Sequence, residues 1–187
     1  MNKEGKTSVP QVIGVFLSYR QAVDGTIVCS LSAIAMDKGN PTQETMKKVR
    51  KFMDYPATHP DAIMTYRKSN MILVGDSDPS HLSKRGARSR AGDHFFLSSD
   101  CMIPPNNGAI LTITHLIKAV MLSTAEAEIG ALYIKARKAV PARKTIEEMG
   151  HPQGRTPLQI DNTTAVGVVN SNIQPCTTKA MYTRWHW

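Results

Sequence analysis

The stretch Ser123-Thr-Ala-Glu-Ala-Glu-Ile-Gly-Ala-Leu-Tyr133 decides the fold, because it opens the longest helical pattern in the chain. Ser123 followed three residues later by Glu126 is typical of a capping box, in which the carboxylate reaches back to the Ser123 amide. One apolar stripe is then predicted from the helical spacing of Ile129, Leu132, Tyr133, Ala136 and Val140. Glu128 flanks this stripe without a capping role. Alone it would be interpreted as a solvated surface glutamate.

Two short strand-like runs elsewhere each end in aspartate. The apolar run Met71–Val74 leads to Asp76 and Asp78, and the run 156–160 leads to Asp161. Carboxyl ends of strands in α/β folds are where sites are built, and carboxylates are the ligands that hard cations prefer. Together with Glu128, these strand ends predict an acidic cluster for a hard cation.

Composition bounds the class of protein. The chain has 187 residues and 41% hydrophobic content, enough for one core and an appendage. Its net charge of +8 favours a polyanionic partner. Three widely spaced cysteines indicate reduced thiols in the cytosol or nucleus rather than a disulfide framework. Because no signal peptide and no membrane-length apolar run is recognisable, we expect a chain that is neither secreted nor membrane-bound.

The first sixty residues predict two or three amphipathic helices. One face of the first helix holds Val12, Val15, Phe16 and Tyr19. A later helix has Asn40 as its cap, Pro41 at its first position and a stripe formed by Met46, Val49 and Met53. Tyr55-Pro56 should stop it, because the residue before a proline avoids helical backbone angles. We therefore expect a helical segment over residues 1–60 and a second domain over residues 61–187.

The second domain changes to strand patterns. Candidate strands are Ala62–Tyr66, Met71–Val74, His94–Leu97, Ala109–Thr114, 156–160 and, at the end of the chain, Thr178–Trp187. A basic loop is expected over residues 83–90, and the organising helix should run to about Gly150 with a kink or break at Pro141. A short helix with Ala165 and Val168 follows the strand 156–160. Counted from Met71–Val74 as the first strand, the order βββαβαβ makes 156–160 the fourth. This order predicts an α/β fold in which an antiparallel meander joins parallel strands, with flanking helices.

The carboxylates Asp78, Glu128 and Asp161 meet only if the first and fourth strands of this order lie side by side with the long helix across them. That is the ribonuclease H arrangement, a mixed five-stranded sheet.

Four motifs then carry a family resemblance. The helix 122–133 resembles the Ser-Thr-Glu-Ala-Glu-Tyr helix of ribonuclease H domains in copia-type retrotransposon Pol polyproteins. Gln159–Ala165 is similar to the family's Asp-Asn-x-x-Ala motif, Asp76–Ser80 to its Ser-Asp-Ala-Ser/Asp opening, and Lys179–His186 to its closing Lys-x-x-Asp-x-Arg-x-His. Residues 8–60 also resemble the helices that connect reverse transcriptase to ribonuclease H. The resemblance implies a polyprotein fragment, truncated at its C-terminal end.

The resemblance implies an enzyme that hydrolyses the RNA strand of RNA–DNA hybrids with two Mg²⁺ ions, for which Mn²⁺ can substitute. Asp78, Glu128 and Asp161 match the first three metal-binding carboxylates, with Asp76 as the rival for the first position. Tyr182 stands where the family has the fourth, an aspartate. A phenol is a poor Mg²⁺ ligand at neutral pH, which predicts impaired activity. His186 is interpreted as a structural histidine, with a proton-transfer role as the alternative.

Substrate contacts are expected to be with phosphates and 2′-hydroxyl groups rather than base edges. The residues assigned to nucleic-acid binding are Arg88, Arg90, Lys135, Lys138 and Asn162. Two alternatives remain open at this stage. The first is that the chain is a catalytically inactive nucleic-acid-binding remnant. The second is that its helices at residues 8–55 dock on a reverse transcriptase partner.

Overall fold

The computed structural model describes residues 3–84 and 88–170. The chain divides between Arg67 and Lys68 into a helical unit and a sheet unit. The predictions for Tyr182, His186 and the strand Thr178–Trp187 lie outside the described residues.

The helical unit contains three α-helices and one 3₁₀ turn. Helix α1 spans Lys3–Ala22, the turn spans Gly25–Ile27, α2 spans Val28–Met36 and α3 spans Gln43–Thr58. Their apolar faces enclose one core, formed by Val9, Ile27, Leu31, Ile34, Val49 and Phe52. Two or three helices were predicted here and three are present among residues 3–67, although Val15 and Met53 are exposed rather than part of the core.

Helix α3 begins and ends later than predicted. Thr42, not Asn40, is its N-cap, because the Thr42 hydroxyl accepts from the Thr45 amide at 3.2 Å and the Thr45 hydroxyl accepts from the Thr42 amide at 3.1 Å. This reciprocal pair satisfies two amides that a helix start leaves unpaired. At the other end α3 passes through Pro56 to Thr58, and the His59 amide still donates to the Tyr55 carbonyl at 2.9 Å.

In its described part, residues 68–84 and 88–170, the sheet unit contains five strands in a mixed open sheet with flanking helices. The strands are β1 (Ile72–Ser77), β2 (Ser80–Lys84), β3 (Arg88–Ser98), β4 (Ala109–Leu116) and β5 (Leu158–Gln159). Strand β3 is the centre and pairs antiparallel with β1, β2 and β4. Strand β5 pairs with β1 in parallel. The α/β class predicted from the sequence is therefore confirmed.

Helix α4 (Thr124–Glu148) packs across β1 and β3, and α5 (Thr163–Val169) follows β5. Contacts between α4 and the sheet are made by Leu73, Phe95, Ala139 and Ile146 in one cluster and by Ala91, Ile117, Met121, Ala127 and Ala131 in another. A kink or a break was predicted at Pro141, and the break is wrong because α4 continues through that residue.

The apolar stripe predicted for α4 does not coincide with its buried face. Tyr133 is 50% exposed and Val140 is 68% exposed. Small side chains at Ala127, Ala131 and Ala139 face the sheet instead. Alanines allow the helix to lie close to the sheet, where the volume is filled by the large side chains of the strands. The prediction placed the larger apolar side chains on the buried face of the helix. The buried positions are instead those whose small side chains allow the helix to approach the sheet closely.

Two further predictions about strands are corrected. The segment 62–66 is neither helix nor strand, and its apolar side chains Ile63 and Tyr66 are exposed, so no burial stabilises a strand there. The basic loop expected over residues 83–90 is shorter than predicted, because Lys84 and Arg88 are register partners in β2 and β3. Residues 85–87 lie outside the described residues.

Candidate carboxylate site

Glu128 is positioned by the start of α4. The Ser123 hydroxyl accepts from the Glu126 amide at 3.1 Å, as the capping motif predicted. The Glu126 carboxylate accepts from the Leu122 amide at 2.5 Å, one residue earlier than the predicted Ser123 amide. Glu126 is therefore a structural residue. Glu128, half a turn further along the helix, is only 3% exposed and has no part in this cap.

The two aspartates come from strands that lie side by side. Asp78 directly follows β1, and its amide donates to the Gly92 carbonyl of β3 at 2.9 Å. Asp161 follows β5 by two residues. Because β1 and β5 are parallel, with Asp76 opposite Gln159, their carboxyl ends lie at the same edge of the sheet. The predicted pairing of the first and fourth strands of the βββαβαβ order is confirmed.

Glu128 interacts electrostatically with both aspartates. Burial, the charge of Asp161, a hydrogen bond with Asp161 and the charge of Asp78 raise the pKa of Glu128 to about 7. The positive charge of Lys135 opposes this rise. The Glu128 Oε2 atom is buried without a hydrogen-bond partner. A carboxyl in this environment is half protonated at neutral pH and gains from any added positive charge.

Asp76 is held differently from Asp78. Its Oδ1 atom accepts from the Ser77 amide at 2.9 Å, and its charge acts on Lys135. The side chain of Asp78 is exposed, as is that of Asp161. This arrangement favours Asp78 over Asp76 as the strand-end member of the site.

The donor chemistry fits a hard divalent cation, since all three groups offer carboxylate oxygens and Glu128 Oε2 is unpartnered. Within residues 3–84 and 88–170, no group of three or more histidine, cysteine, aspartate or glutamate side chains is close enough together to hold a metal ion. The side chains of Asp78 and Asp161 are exposed, so rotation about their χ angles changes their distance from Glu128 without backbone movement.

The residues predicted to contact nucleic acid have different surroundings. Arg88 and Lys138 are exposed. Arg90 is only 6% exposed and donates to the Thr114 hydroxyl at 3.1 Å, so it is not the solvent-facing phosphate contact that was predicted. Its place in β3 explains the error, because Arg90 is paired on both sides, with Ser80 of β2 and with Leu116 of β4. Asn162 is the N-cap of α5 and accepts from the Ala165 amide at 2.9 Å.

The predicted phosphate contact of Lys135 is also wrong. It is completely buried, and its Nζ atom donates to the Gln159 carbonyl at 2.6 Å and lies 3.4 Å from the Gly75 carbonyl. It therefore binds strand backbone rather than phosphate. The prediction treated Lys135 and Lys138 as one basic face. The two are neighbours on α4, at positions i and i+3, but Lys135 is buried on the side packed against the sheet whereas Lys138 is exposed.

Asp93 is a buried residue that the sequence analysis did not single out. It is 3% exposed, and its Oδ1 atom accepts from the Ser77 hydroxyl at 2.6 Å. Burial raises its pKa, while the Ser77 hydrogen bond and the charge of Lys135 lower it. Alternation along β3 was the available signal, because Asp93 shares a face of the strand with the core residue Phe95.

Comparisons with protein-family models, with characterised proteins and with solved structures return no match for this chain. None of the helices in the described ranges is long and apolar enough to cross a membrane.

Proposed function

We propose that this chain is a ribonuclease H-like endonuclease that hydrolyses the RNA strand of RNA–DNA hybrids with divalent cations. The observation that carries the proposal is the environment of Glu128. This buried carboxylate on α4 interacts with Asp161 after β5 and Asp78 after β1, and both aspartates raise its pKa. Perturbed titratable groups of this kind are concentrated at functional sites. The motifs that resemble copia-type ribonuclease H domains support the same assignment.

Each carboxylate would have a defined part. Asp78 and Asp161 are exposed at one edge of the sheet and are accessible to a phosphate backbone. Glu128 is anchored in the packed face of α4 and would give the site a fixed point. Mg²⁺ or Mn²⁺, when bound, would neutralise charge on the scissile phosphate and favour ionisation of the attacking water. A cation would also compete with the proton on Glu128, so binding should weaken as pH falls below about 7.

Phosphate contacts are assigned to Arg88 on β3 and Lys138 on α4, both exposed. Such contacts fix the position of a nucleic acid and make its affinity dependent on salt, without reading sequence. Arg90 and Lys135 are not included, because both are buried.

The test is cleavage of an end-labelled RNA–DNA hybrid with Mg²⁺ or Mn²⁺ by the parent chain and by Asp78→Asn, Asp161→Asn and Tyr182→Asp. The exposed Asp100 on the same unit provides the matched control Asp100→Asn. We expect metal-dependent cleavage that Asp78→Asn and Asp161→Asn abolish, that Asp100→Asn preserves and that Tyr182→Asp increases. Failure of the parent and of Tyr182→Asp to cleave would refute the endonuclease assignment.

A second candidate is a nucleic-acid-binding remnant without catalysis. The observation that favours it is the lack, among described residues, of three potential ligands close enough to hold a metal ion. This function predicts hybrid binding that is insensitive to Mg²⁺ and to Asp78→Asn, and that weakens on Lys138→Gln. Binding titrations at several salt concentrations would separate the candidates, because only the nuclease requires the carboxylates.

A further inference from the structure

Lys135 joins the two parallel strands of the sheet through their backbone. Its Nζ atom donates to the Gln159 carbonyl of β5 at 2.6 Å and lies 3.4 Å from the Gly75 carbonyl of β1. Strand β5 has only two residues, and the Gly75 amide adds a 3.0 Å bond to the Pro157 carbonyl. So short a strand has few ladder bonds of its own, and the lysine supplies an extra donor at its carboxyl end.

Packing alone does not explain a lysine at this position. The side chain is 0% exposed, and burying an ammonium group costs free energy that an apolar side chain of similar length would not. The charges of Asp93, Asp76 and Glu128 partly offset this cost and keep the pKa of Lys135 at about 8 against the lowering effect of burial. Gly75 has no side chain, and a Cβ there would lie 3.1 Å from the Lys135 stem. The absence of a side chain at Gly75 therefore provides space for the Lys135 stem.

The position of Lys135 on α4 relates it to the carboxylate site. Glu128 lies seven residues, about two turns, before it on the same helix. Gln159, whose carbonyl it binds, is two residues before Asp161. One rigid helix thus supplies a carboxylate and a bond to the strand that leads to a second carboxylate.

We propose that Lys135 is a positioning residue that holds the carboxyl end of β5 against β1 and so sets the position of Asp161 relative to Glu128. The bond between α4 and β5 stands on the geometry alone, and its relevance to catalysis rests on the proposed function. The lysine does not contact substrate in this role. It acts through the backbone of Gln159.

Amide hydrogen exchange measured by NMR tests the positioning role independently of activity. The Gly75 amide reports on the pairing of β1 with β5, the Asp78 amide on β1 with β3, and the Ile117 amide on the end of the β3–β4 pair. The variants are Lys135→Met, which keeps length but has no donor, and Lys135→Gln, which keeps a donor without charge. Lys138→Met is the control on the exposed face of α4.

We expect Lys135→Met to accelerate exchange of the Gly75 amide at least about tenfold more than exchange of the Ile117 amide. Lys135→Gln should restore most of the protection, and Lys138→Met should have no effect. Equal acceleration at Gly75, Asp78 and Ile117, or none, would overturn the proposal. In the unaltered chain the Lys135 ammonium should give a resolved proton–nitrogen signal, and an ammonium that exchanges as fast as that of Lys138 would also overturn it.

Hybrid cleavage gives the second readout. If the parent cleaves, Lys135→Met should lower kcat about tenfold or more with KM for the hybrid unchanged, and Lys135→Gln should recover part of the loss. An unchanged kcat would refute the positioning role in an active enzyme. If the parent does not cleave, the proposed function fails, while the exchange measurements still decide whether Lys135 fixes β5.

Discussion

Glu128→Gln should stabilise the sheet unit at alkaline pH, although it removes a residue of the candidate site. The pKa of Glu128 is raised from an ordinary value of 4.5 to about 7. The folded chain therefore holds a proton that the unfolded chain has already lost, and stability falls as pH rises from 4.5 to 7. Above this window the ionised, buried carboxylate costs about 3 kcal/mol of folding free energy. Glutamine carries no charge and avoids that cost.

The assay is urea unfolding of the parent and of Glu128→Gln in metal-free buffer at pH 5 and pH 9. The substitution also changes hydrogen bonding, but that contribution is common to both pH values. The gain in free energy of unfolding should therefore be larger at pH 9 than at pH 5 by about 2.5 kcal/mol. Glu148→Gln, an exposed position on the same helix, is the control and should show no such difference. An equal effect of Glu128→Gln at both pH values would refute the reasoning.

Three further substitutions test the packing, the cap and the charge coupling. Gly75→Ala should cost about 1–3 kcal/mol in urea unfolding, since a Cβ there meets three side chains at 3.0–3.2 Å, whereas Gly154→Ala, with open space, should be nearly neutral. Ser123→Ala should cost about 1 kcal/mol and lower the Tm, because the Glu126 amide loses its acceptor; an unchanged Tm would contradict this. Asp161→Asn should bring the pKa of Glu128 below about 7, measured by carbon NMR of its carboxyl group, and an unchanged titration would show that the two carboxylates are not coupled.

Much of the fold was predictable because its local signals agree with its long-range pairing. The strand patterns at His94–Leu97 and Ala109–Thr114 lie within β3 and β4, and the capping motif at Ser123 begins α4. The boundaries were less predictable. Helix α3 begins at Gln43 because two threonines cap one another, a pairing that the nearby Asn40-Pro41 signal obscured.

The site was predictable to the extent that it depends on strand order. Strand-end aspartates and a helix-borne glutamate come to one sheet edge once β1 and β5 are adjacent. From the sequence, that adjacency was the condition under which the three carboxylates could meet. The buried polar residues were not predictable in the same way. Arg90 and Lys135 have ordinary surface residue types, and only their three-dimensional surroundings show that each is buried and donates to a neighbouring strand. A charged side chain carries no sequence signal for inward orientation unless the face of its element is known.

The same surroundings support the proposal that the carboxylates are functional. Three carboxylates interact at one sheet edge in a chain whose net charge is +8, and one of them is buried with an unpartnered oxygen. The positive charge of Lys135 acts on Glu128, and burial lowers the pKa of Lys135 itself to about 8. Neutral side chains of similar size would pack at a lower free-energy cost than these charged groups. Charged groups that destabilise the fold in this way are concentrated at functional sites. A cation or a proton at Glu128 would remove the repulsion. Stability of the sheet unit and occupancy of the site should therefore change together with pH.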